Sequence, residues 1–314
     1  MLNKKRNKVY LFSILSLGLV WVLALAFGST SGSWSILIDL RLPRVVLATV
    51  IGMGLAVSGV VLQVLFSNPL CEPYTLGISS GSAVGAVIGS SLGLSWNMGG
   101  LAGAAFLGAL SFSGVLFAVS NHWGERPAVL LLTGVMLGFL GNSFVALWIV
   151  LFDSNGIQNT LVWLFGDLSR ARMSGAVFTG VVALPLMFGV FTQARKLDAF
   201  LLGEEGASAL GVDIQAVRKT LIALTSVLVS LCVSAGGVIG FIGLLVPHLV
   251  RRGVGSIHYH LIPISALWGA SLLVLADLLS RALARPYELP VGVVTALGGA
   301  PVFLWVMLRR SRSS

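Results

Sequence analysis

The sequence predicts an all-α membrane protein with about ten transmembrane helices in a single domain that covers residues 1–314. Of the 314 residues, 56% are apolar and 10% are charged, whereas a soluble domain carries about 25% charged residues. Long apolar segments recur along the whole chain, and each spanning helix needs about 20 apolar residues. Ten such helices use about 200 positions, which leaves no room for a large soluble domain.

The first apolar segment covers residues 9–27 and follows a basic stretch at residues 4–8. Its end, Ala24-Leu25-Ala26, is similar to a signal-peptide cleavage site. A run of about 19 apolar residues, however, is long for a signal core and sufficient for a span. We therefore predict a first helix that is retained in the mature protein.

Nine further apolar segments follow the first. The segment at residues 239–250 is too short to span a membrane unaided. We expect it either to borrow Gly236 and Gly237 or to be partly irregular. The other eight segments lie near residues 44–66, 74–92, 97–119, 128–151, 174–193, 218–236, 262–281 and 290–308.

Basic residues predict the orientation of the chain, which has 20 Lys and Arg against 11 Asp and Glu. If the N-terminus is inside, 14 of the 20 basic residues fall on the inner side. Short loops rich in Lys and Arg are retained in the cytoplasm, so both termini are predicted to be cytoplasmic. The six outer basic residues are Arg41, Arg44, Arg170, Arg172, Arg281 and Arg285.

Motifs for catalysis or metal binding are weak in this sequence. Cys71 and Cys232 form neither a CxxC pair nor a metal-binding spacing, which argues against a disulfide framework. Residues 77–81 match the G-x-S-x-G pattern of serine hydrolases, but they lie in a predicted helix instead of a strand-to-helix turn. His258 and His260 lack nearby carboxylates or cysteines, so we interpret them as part of a solvated loop. No lysine follows a glycine, which excludes a phosphate-binding loop for ATP.

Charged residues inside the predicted spans, which mark ion pathways in carriers, are scarce. Asp277 precedes Arg281 by four residues, so the two side chains share one helix face. We expect a neutralised pair near the outer end and not a proton relay. An ion-coupled secondary transporter is the alternative function, and an intramembrane serine hydrolase is a weaker one.

Glycines recur at helical spacing in two places, every fourth residue from 77 to 89 and again at 134 and 138. Faces made of such small residues let helix backbones approach closely in lipid and pack through van der Waals contacts. We therefore predict helix packing at Gly77, Gly81, Gly85, Gly134 and Gly138.

Two short similarities indicate an internal duplication. Residues 132–141 resemble residues 290–299, and residues 56–59 resemble residues 232–235. The copies run in opposite directions in the predicted topology, as in transporters that are built from inverted repeats.

The inner segment, residues 193–220, is the longest polar stretch in the second half of the chain. Apolar Leu202, Ala209 and Leu210 alternate there with acidic and small residues, which predicts short amphipathic helices. About 25 residues are long for a connection between packed helices. We therefore expect the segment to form a docking surface for a cytoplasmic partner.

Three blocks of residues resemble one family of transport proteins. They are Leu-Arg-Leu-Pro-Arg at 40–44 with residues 68–73 and 76–81, then Gly-Phe-Ile-Gly-Leu-Leu-Val-Pro-His at 240–248, then residues 275–281, 288–293 and 299–303. In this order the blocks resemble the permease subunits of type II ABC importers for iron-siderophores, haem and vitamin B12.

The resemblance implies a ten-helix, inverted-repeat permease fold that pairs with a second permease copy or a paralogue around a central pathway. It also implies two ATP-binding subunits, which hold ATP and Mg, and an external substrate-binding protein. This chain would then be no enzyme and would hold no cofactor or metal. Its predicted function is to carry an iron(III) chelate (a siderophore or haem) or cobalamin across the cytoplasmic, or inner, membrane, and the sequence leaves the choice among these cargoes open.

The resemblance also assigns roles to individual residues. Arg41, Arg44 and Arg281 match outer positions that meet acidic residues of the binding protein. The loop at 125–128 matches the inner gate, but Pro127-Ala128 departs from the small polar residues typical there, so we assign no gate residues. Coupling to the ATPase is assigned to Leu202, Gly203, Glu204, Glu205, Ala207, Leu210 and Gly211.

Overall fold

The computed structural model describes residues 2–27, 34–94, 100–122, 127–151, 163–284 and 287–311. These residues form a helical bundle with no β-strand among them. One helix of 13 residues or more overlaps each of the ten predicted apolar segments, so the predicted all-α fold is confirmed. In chain order the helices are α1 (Leu2–Ala26), α2 (Leu42–Leu65), α3 (Ile78–Ser91), α4 (Leu101–His122), α5 (Pro127–Leu151), α6 (Met173–Thr192), α7 (Ala194–Ala199), α8 (Gly203–Ala209), α9 (Ile214–Gly236), α10 (Ile242–Val254), α11 (His258–Ala282) and α12 (Val291–Ser311).

Seven of the ten long helices (α1, α2, α4, α5, α6, α9 and α11) are apolar and long enough to cross a membrane. Helix α12 adds a shorter apolar stretch at Val291–Val306. Helices α3 and α10 have 14 and 13 residues. They are therefore about 21 and 20 Å long, against a hydrocarbon core of about 30 Å. These two helices cover only part of the membrane thickness.

Helix α2 lies at the centre of the bundle and is buried along most of its length. It packs against α6, α9, α10 and α11. Glycines permit the closest approaches: a Cβ added at Gly52 would lie 2.7 Å from the carbonyl carbon of Gly269 on α11. A Cβ added at Gly59 would lie 2.7 Å from the Cα of Gly243 on α10. In lipid, helices associate through close packing of this kind.

The glycine face of α3 lies against α4. A Cβ added at Gly81 would lie 2.6 Å from the carbonyl oxygen of Gly108, and one added at Gly85 would lie 3.1 Å from the Cα of Gly108. The distance at Gly81 is too short for a side chain, and a Cβ at Gly85 would also overlap the carbonyl oxygen of Ala104. Larger residues at these two positions would therefore separate α3 from α4.

The glycines of α5 occupy two different environments. A Cβ added at Gly134 would lie 2.7 Å from the Cα of Leu76, and one added at Gly77 would lie 2.8 Å from the carbonyl oxygen of Gly134. At Gly138 an added Cβ would meet no atom within 4 Å. The lack of a side chain at Gly134 thus permits the close approach of the chain before α3, whereas Gly138 has open space where a Cβ would lie.

Two helix starts differ from the predicted ones for local reasons. Helix α3 begins at Ile78 and not near residue 74, because Pro73–Leu76 forms a single 3₁₀ turn and Gly77 then adopts a φ of 73°. Helix α9 begins at Ile214 and not near residue 218. Its start is capped by Asp213, whose carboxylate accepts the backbone N–H three residues later at 3.0 Å.

An irregular stretch at residues 237–241 precedes the short helix α10. This agrees with one of the two predicted alternatives, a partly irregular segment. The hydroxyl of Tyr74 accepts the N–H of Ile239 and donates to its carbonyl oxygen, both at 2.8 Å. Gln63 Nε2 donates to two carbonyl oxygens in the first turn of α10 at 3.2 Å. Irregular backbone is tolerated inside a membrane only where protein buries it. These contacts therefore place the stretch in the protein interior.

The bundle contains an inverted repeat. A long helix, an irregular stretch and a short helix follow one another twice, first as α2 and α3 and again as α9 and α10. The long helices α2 and α9 pack antiparallel, because Gly54 lies beside Leu228 while Ile51 lies beside Gly236. The similarity between residues 56–59 and 232–235 falls within these two helices.

Candidate functional site

Three arginines come together at the end of the bundle where α1 and α11 finish and α2 begins. Arg41 and Arg44 are 7% exposed and Arg281 is 3% exposed. Arg44 donates through Nε to Asp277 Oδ1 at 2.5 Å and through an NH group to Glu288 Oε2 at 2.7 Å. Arg281 forms an ion pair with the other oxygen of Asp277 at 3.0 Å. We refer to these five residues as the outer cluster.

The outer cluster also holds the end of α1. Arg41 donates to the carbonyl oxygens of Leu25 and Ala26 at 2.7 and 3.1 Å, and Arg281 donates to that of Ala24 at 3.3 Å. The last carbonyls of a helix lack partners within the helix and attract cations. The two arginines therefore attach the C-terminal end of α1 to α2 and α11.

The predicted neutralised pair between Asp277 and Arg281 is confirmed by this geometry. Sequence reasoning missed that Arg44 shares the same carboxylate and that Glu288 completes the cluster. The only available signal for Glu288 was its place in the third block of the family resemblance. Arg285, another predicted outer residue, lies outside the described residues.

At the opposite end of the bundle, residues 193–213 connect α6 to α9, and we refer to them as the coupling segment. It consists of α7, a 3₁₀ turn at Phe200–Leu202, α8 and a final turn. Gly203 and Gly211 have φ values of 81° and 78°, a conformation that glycine adopts without steric cost. These two glycines set the corners of the short helices that the sequence predicted.

Two polar contacts fix the coupling segment to the long helices. Asp198 Oδ1 accepts hydrogen bonds from the backbone N–H and from Nδ1 of His258, both at 2.7 Å. Helix α11 therefore starts at His258 and not near residue 262. Arg218 on α9 donates to Glu204 Oε1 at 2.6 Å. Both His258 and Arg218 are buried. The segment is therefore anchored to α9 and to α11.

The predicted coupling residues divide into exposed and buried groups. Leu202 and Leu210 are 66% and 64% exposed, and Glu205 is also exposed. Glu204 is engaged by Arg218, and Ala207 is buried against the rest of the protein. The exposed members leave an apolar surface at the end of the bundle, beside Glu205, which forms no ion pair with any residue that the structure describes.

The prediction of a solvated histidine loop is wrong. His258 is fully buried, and His260 lies within 2.9 Å of an NH group of Arg6 and 3.3 Å of the hydroxyl of Tyr10 on α1. Both residues lie in the first turn of α11 and not in a loop. Their side chains contact different partners. They connect α11 to the coupling segment and to the beginning of α1.

Groups that could support metal or nucleophilic chemistry are not assembled in the described residues. No cluster of three or more His, Cys, Asp or Glu side chains with metal-binding geometry occurs there. Burial raises the pKa of the Cys71 thiol to about 11, so this thiol is protonated at neutral pH. In the G-x-S-x-G match, the serine at the nucleophile position, Ser79, lies in the first turn of α3 and follows a 3₁₀ turn instead of a β-strand.

Comparison with known proteins gives concordant matches over almost the whole chain. The sequence model of the FecCD transport family matches residues 9–309. The hemin transport system permease protein HmuU of Yersinia pestis is 41% identical over 286 residues, which cover 88% of this chain and 84% of that protein. The vitamin B12 import system permease protein BtuC of Vibrio cholerae is 40% identical over an alignment of 326 positions, which covers 100% and 98% of the two chains.

The fold is also similar to a solved transporter structure. A metal-chelate type ABC transporter in an inward-facing conformation superposes with a TM-score of 0.89 at 31% identity. The match covers 96% of this chain and 99% of that chain. Both ends of the bundle described above therefore lie within the shared fold.

Proposed function

The chain belongs to the FecCD transport family, and we propose that it is the membrane-spanning permease subunit of an ATP-driven importer for an iron chelate or cobalamin. The relatives described above are named as permeases for hemin and for vitamin B12. The chain provides a path through the membrane and is not an enzyme. ATP and Mg bind to a separate ATPase subunit.

The exposed coupling segment is the observation that supports this proposal most directly. Leu201, Leu202 and Leu210 are between 50% and 66% exposed, although the segment also carries the charged residues of a water-facing surface. Apolar groups grouped on such a surface mark a site that another protein covers. The anchors at His258 and Arg218 connect this site to α11 and α9. We propose that the ATPase docks here and that its movement reaches the long helices through these anchors.

The other partners follow from the same family membership. A second permease chain, either a copy or a paralogue, pairs with this one, and each permease receives one ATPase subunit. An external substrate-binding protein docks at the end of the bundle that carries the outer cluster, whose arginines are themselves buried. The location of Arg41, Arg44 and Arg281 at the opposite end from the coupling segment supports that assignment.

The chain is a multi-pass membrane protein, and we propose that the coupling segment and both termini face the cytoplasm. The contact between Arg6 and His260 supports this orientation, because it places the start of α1 at the same end as the coupling segment. The test is labelling of Ser208→Cys and Leu283→Cys in intact cells. Ser208 should react only after permeabilisation and Leu283 from outside. Labelling of Ser208→Cys from outside would overturn the orientation.

The transport function is tested by reconstitution. The permease, an ATPase encoded with it and the cognate binding protein are placed in proteoliposomes, and uptake of haem, an iron-siderophore and cobalamin is measured. We expect uptake of one of these cargoes that requires ATP and the binding protein. Uptake driven by a proton or sodium gradient without the ATPase would overturn the proposal in favour of an ion-coupled carrier.

A further inference from the structure

A cavity of about 770 Å³ lies beside the coupling segment at the inner end of the bundle. Its walls come from the last turns of α2 and α10 and from the 3₁₀ turn that precedes α8. This volume is within the range of small-molecule binding sites, about 300–1,000 Å³. The residues that matter for its chemistry are Gln63, Phe200, Leu201, His248, Arg251 and Arg252.

The cavity is lined by two adjacent arginines that have no carboxylate partner among the described residues. Arg251 donates to Gln63 Oε1 at 2.8 Å, and Arg252 donates to the carbonyl oxygen of Val306 at 3.3 Å. Both acceptors are neutral. In the part of the chain that the structure describes, neither guanidinium forms an ion pair with Asp or Glu, and none of the cavity's lining residues is acidic.

Three buried arginines elsewhere in the molecule are paired with carboxylates. Arg44 and Arg281 share Asp277, and Arg218 is paired with Glu204. Asp198, the acidic residue of the coupling segment nearest α11, is hydrogen-bonded to His258. Within the described ranges of the chain, no carboxylate therefore balances the positive charge of the cavity.

Gln63 holds one of these arginines in a defined position. Its Nε2 donates to two carbonyl oxygens of α10 while its Oε1 accepts from Arg251. A guanidinium has five N–H donors in a rigid fork, and Arg251 and Arg252 each use one of them in these contacts. The remaining donors suit a planar or tetrahedral oxyanion, for which arginine forms bidentate, charge-assisted bonds.

A simpler explanation is that the two arginines stabilise the negative end of the α10 dipole and the cytoplasmic location of this loop. Those roles require positive charge near the helix end. They do not require that both side chains line one cavity or that a buried glutamine orients one of them.

We propose that this cavity binds an oxyanion, a phosphate or carboxylate group carried by a larger molecule. The volume exceeds what a single inorganic anion needs, and Phe200 and Leu201 supply an apolar wall for the rest of the ligand. The headgroup of an anionic phospholipid and a soluble anion share this chemistry. The proposal concerns the permease chain alone and does not depend on the identity of the transported cargo.

The test uses the full-length chain in nanodiscs and the double variant R251Q/R252Q. In the soluble arm, the nanodiscs contain phosphatidylcholine alone, and binding of inorganic pyrophosphate is measured by calorimetry. In the lipid arm, phosphatidylglycerol is added, and the lipid that stays bound is counted by native mass spectrometry. The matched control is R195Q/K196Q, which removes two adjacent exposed cations at the same end but outside the cavity.

We expect the double variant to bind about tenfold more weakly than the wild-type chain, as for the loss of charge-assisted hydrogen bonds, with the control unchanged. A loss confined to the lipid arm assigns the site to a headgroup, and a loss confined to the soluble arm assigns it to a soluble anion. The single variant R252Q, at an exposed position, should weaken binding by less while keeping the wild-type melting temperature. Equal binding by wild type and double variant in both arms, or an equal loss in the control, would overturn the proposal.

Discussion

The two ends of the bundle use charged side chains in opposite ways. At the end that holds the outer cluster, Arg41, Arg44 and Arg281 are at most 7% exposed and donate hydrogen bonds to other groups of the protein. At the opposite end, the coupling segment is anchored by Asp198 and Glu204, while Leu202, Glu205 and Leu210 are exposed. The outer cluster thus holds helices together, whereas the coupling segment leaves part of its surface exposed.

This difference changes how a docking hypothesis is tested at each end. An exposed residue of the coupling segment can be changed without disturbing the fold. Reversing the charge of Arg44 would place a third carboxylate beside Asp277 and Glu288 and would damage the outer cluster itself. Loss of binding in such a variant carries no information about the external partner unless stability is measured as well.

The largest effect is expected for Asp277→Ala. Removing this carboxylate leaves Arg44 and Arg281 buried without their shared partner, which costs about 3–5 kcal/mol when a buried pair is broken. The melting temperature in detergent should fall strongly. Asp39→Ala, at an exposed position near the same end, is the control and should melt like the wild type. If both variants melt alike, the outer cluster does not hold the helices together.

The second prediction concerns the anchor of the coupling segment. Asp198→Ala removes the carboxylate oxygen that accepts from both donors of His258 and leaves these buried donors unsatisfied, at a cost of about 1–3 kcal/mol. We expect ATPase binding to persist while transport per ATP hydrolysed falls by about tenfold, the equivalent of about 1.4 kcal/mol. Asp198→Asn, which keeps an acceptor oxygen, should recover part of the coupling. Unchanged coupling in Asp198→Ala would show that movement reaches the helices by another route.

A paired substitution separates docking from folding at the inner end. Glu205→Lys changes an exposed residue that has no ion pair in the described part of the chain. It should therefore weaken ATPase affinity severalfold at low salt, without a change in melting temperature. Glu204→Lys also places a second cation beside the buried Arg218 and should lower the melting temperature as well. Wild-type ATPase affinity in Glu205→Lys at low salt would argue against docking at this surface.

The smallest effect is expected for Glu288→Gln. The side chain of Glu288 is 35% exposed, so the loss of its ion pair with Arg44 should cost about 0–1 kcal/mol after solvent screening. The outer end becomes more positive, and an acidic binding protein should associate more tightly at low salt. The measurement is the dissociation constant at two salt concentrations. An affinity that does not change with salt would argue against electrostatic docking there.

Sequence reasoning was most successful where the signal is local. Runs of apolar residues gave the ten long helices because a membrane imposes a minimum apolar length on each span. The same length rule identified residues 239–250 as too short to span alone. The pair of Asp277 and Arg281 was accessible because a separation of four residues places two side chains on one face of a helix.

Contacts between distant parts of the chain were not accessible in this way. Arg44 and Glu288 are 244 residues apart, and Asp198 and His258 are 60 residues apart. No periodicity connects such residues, since their approach depends on how whole helices pack. The cap at Asp213 is an intermediate case: an aspartate directly before an amphipathic run is a recognised helix start, and it would have corrected the start of α9.

The pairing of Arg44 with Asp277 also has a consequence for the timing of biosynthesis. The two residues are 233 positions apart, and a ribosome adds about 5–20 residues per second. Arg44 is therefore synthesised roughly 10–50 s before Asp277. During that interval the start of α2 carries an unpaired cation that favours the aqueous boundary. Helix α2 can therefore take its final position in the bundle only after α11 has been synthesised. A chain truncated before residue 277 is expected to be recognised as incomplete and degraded.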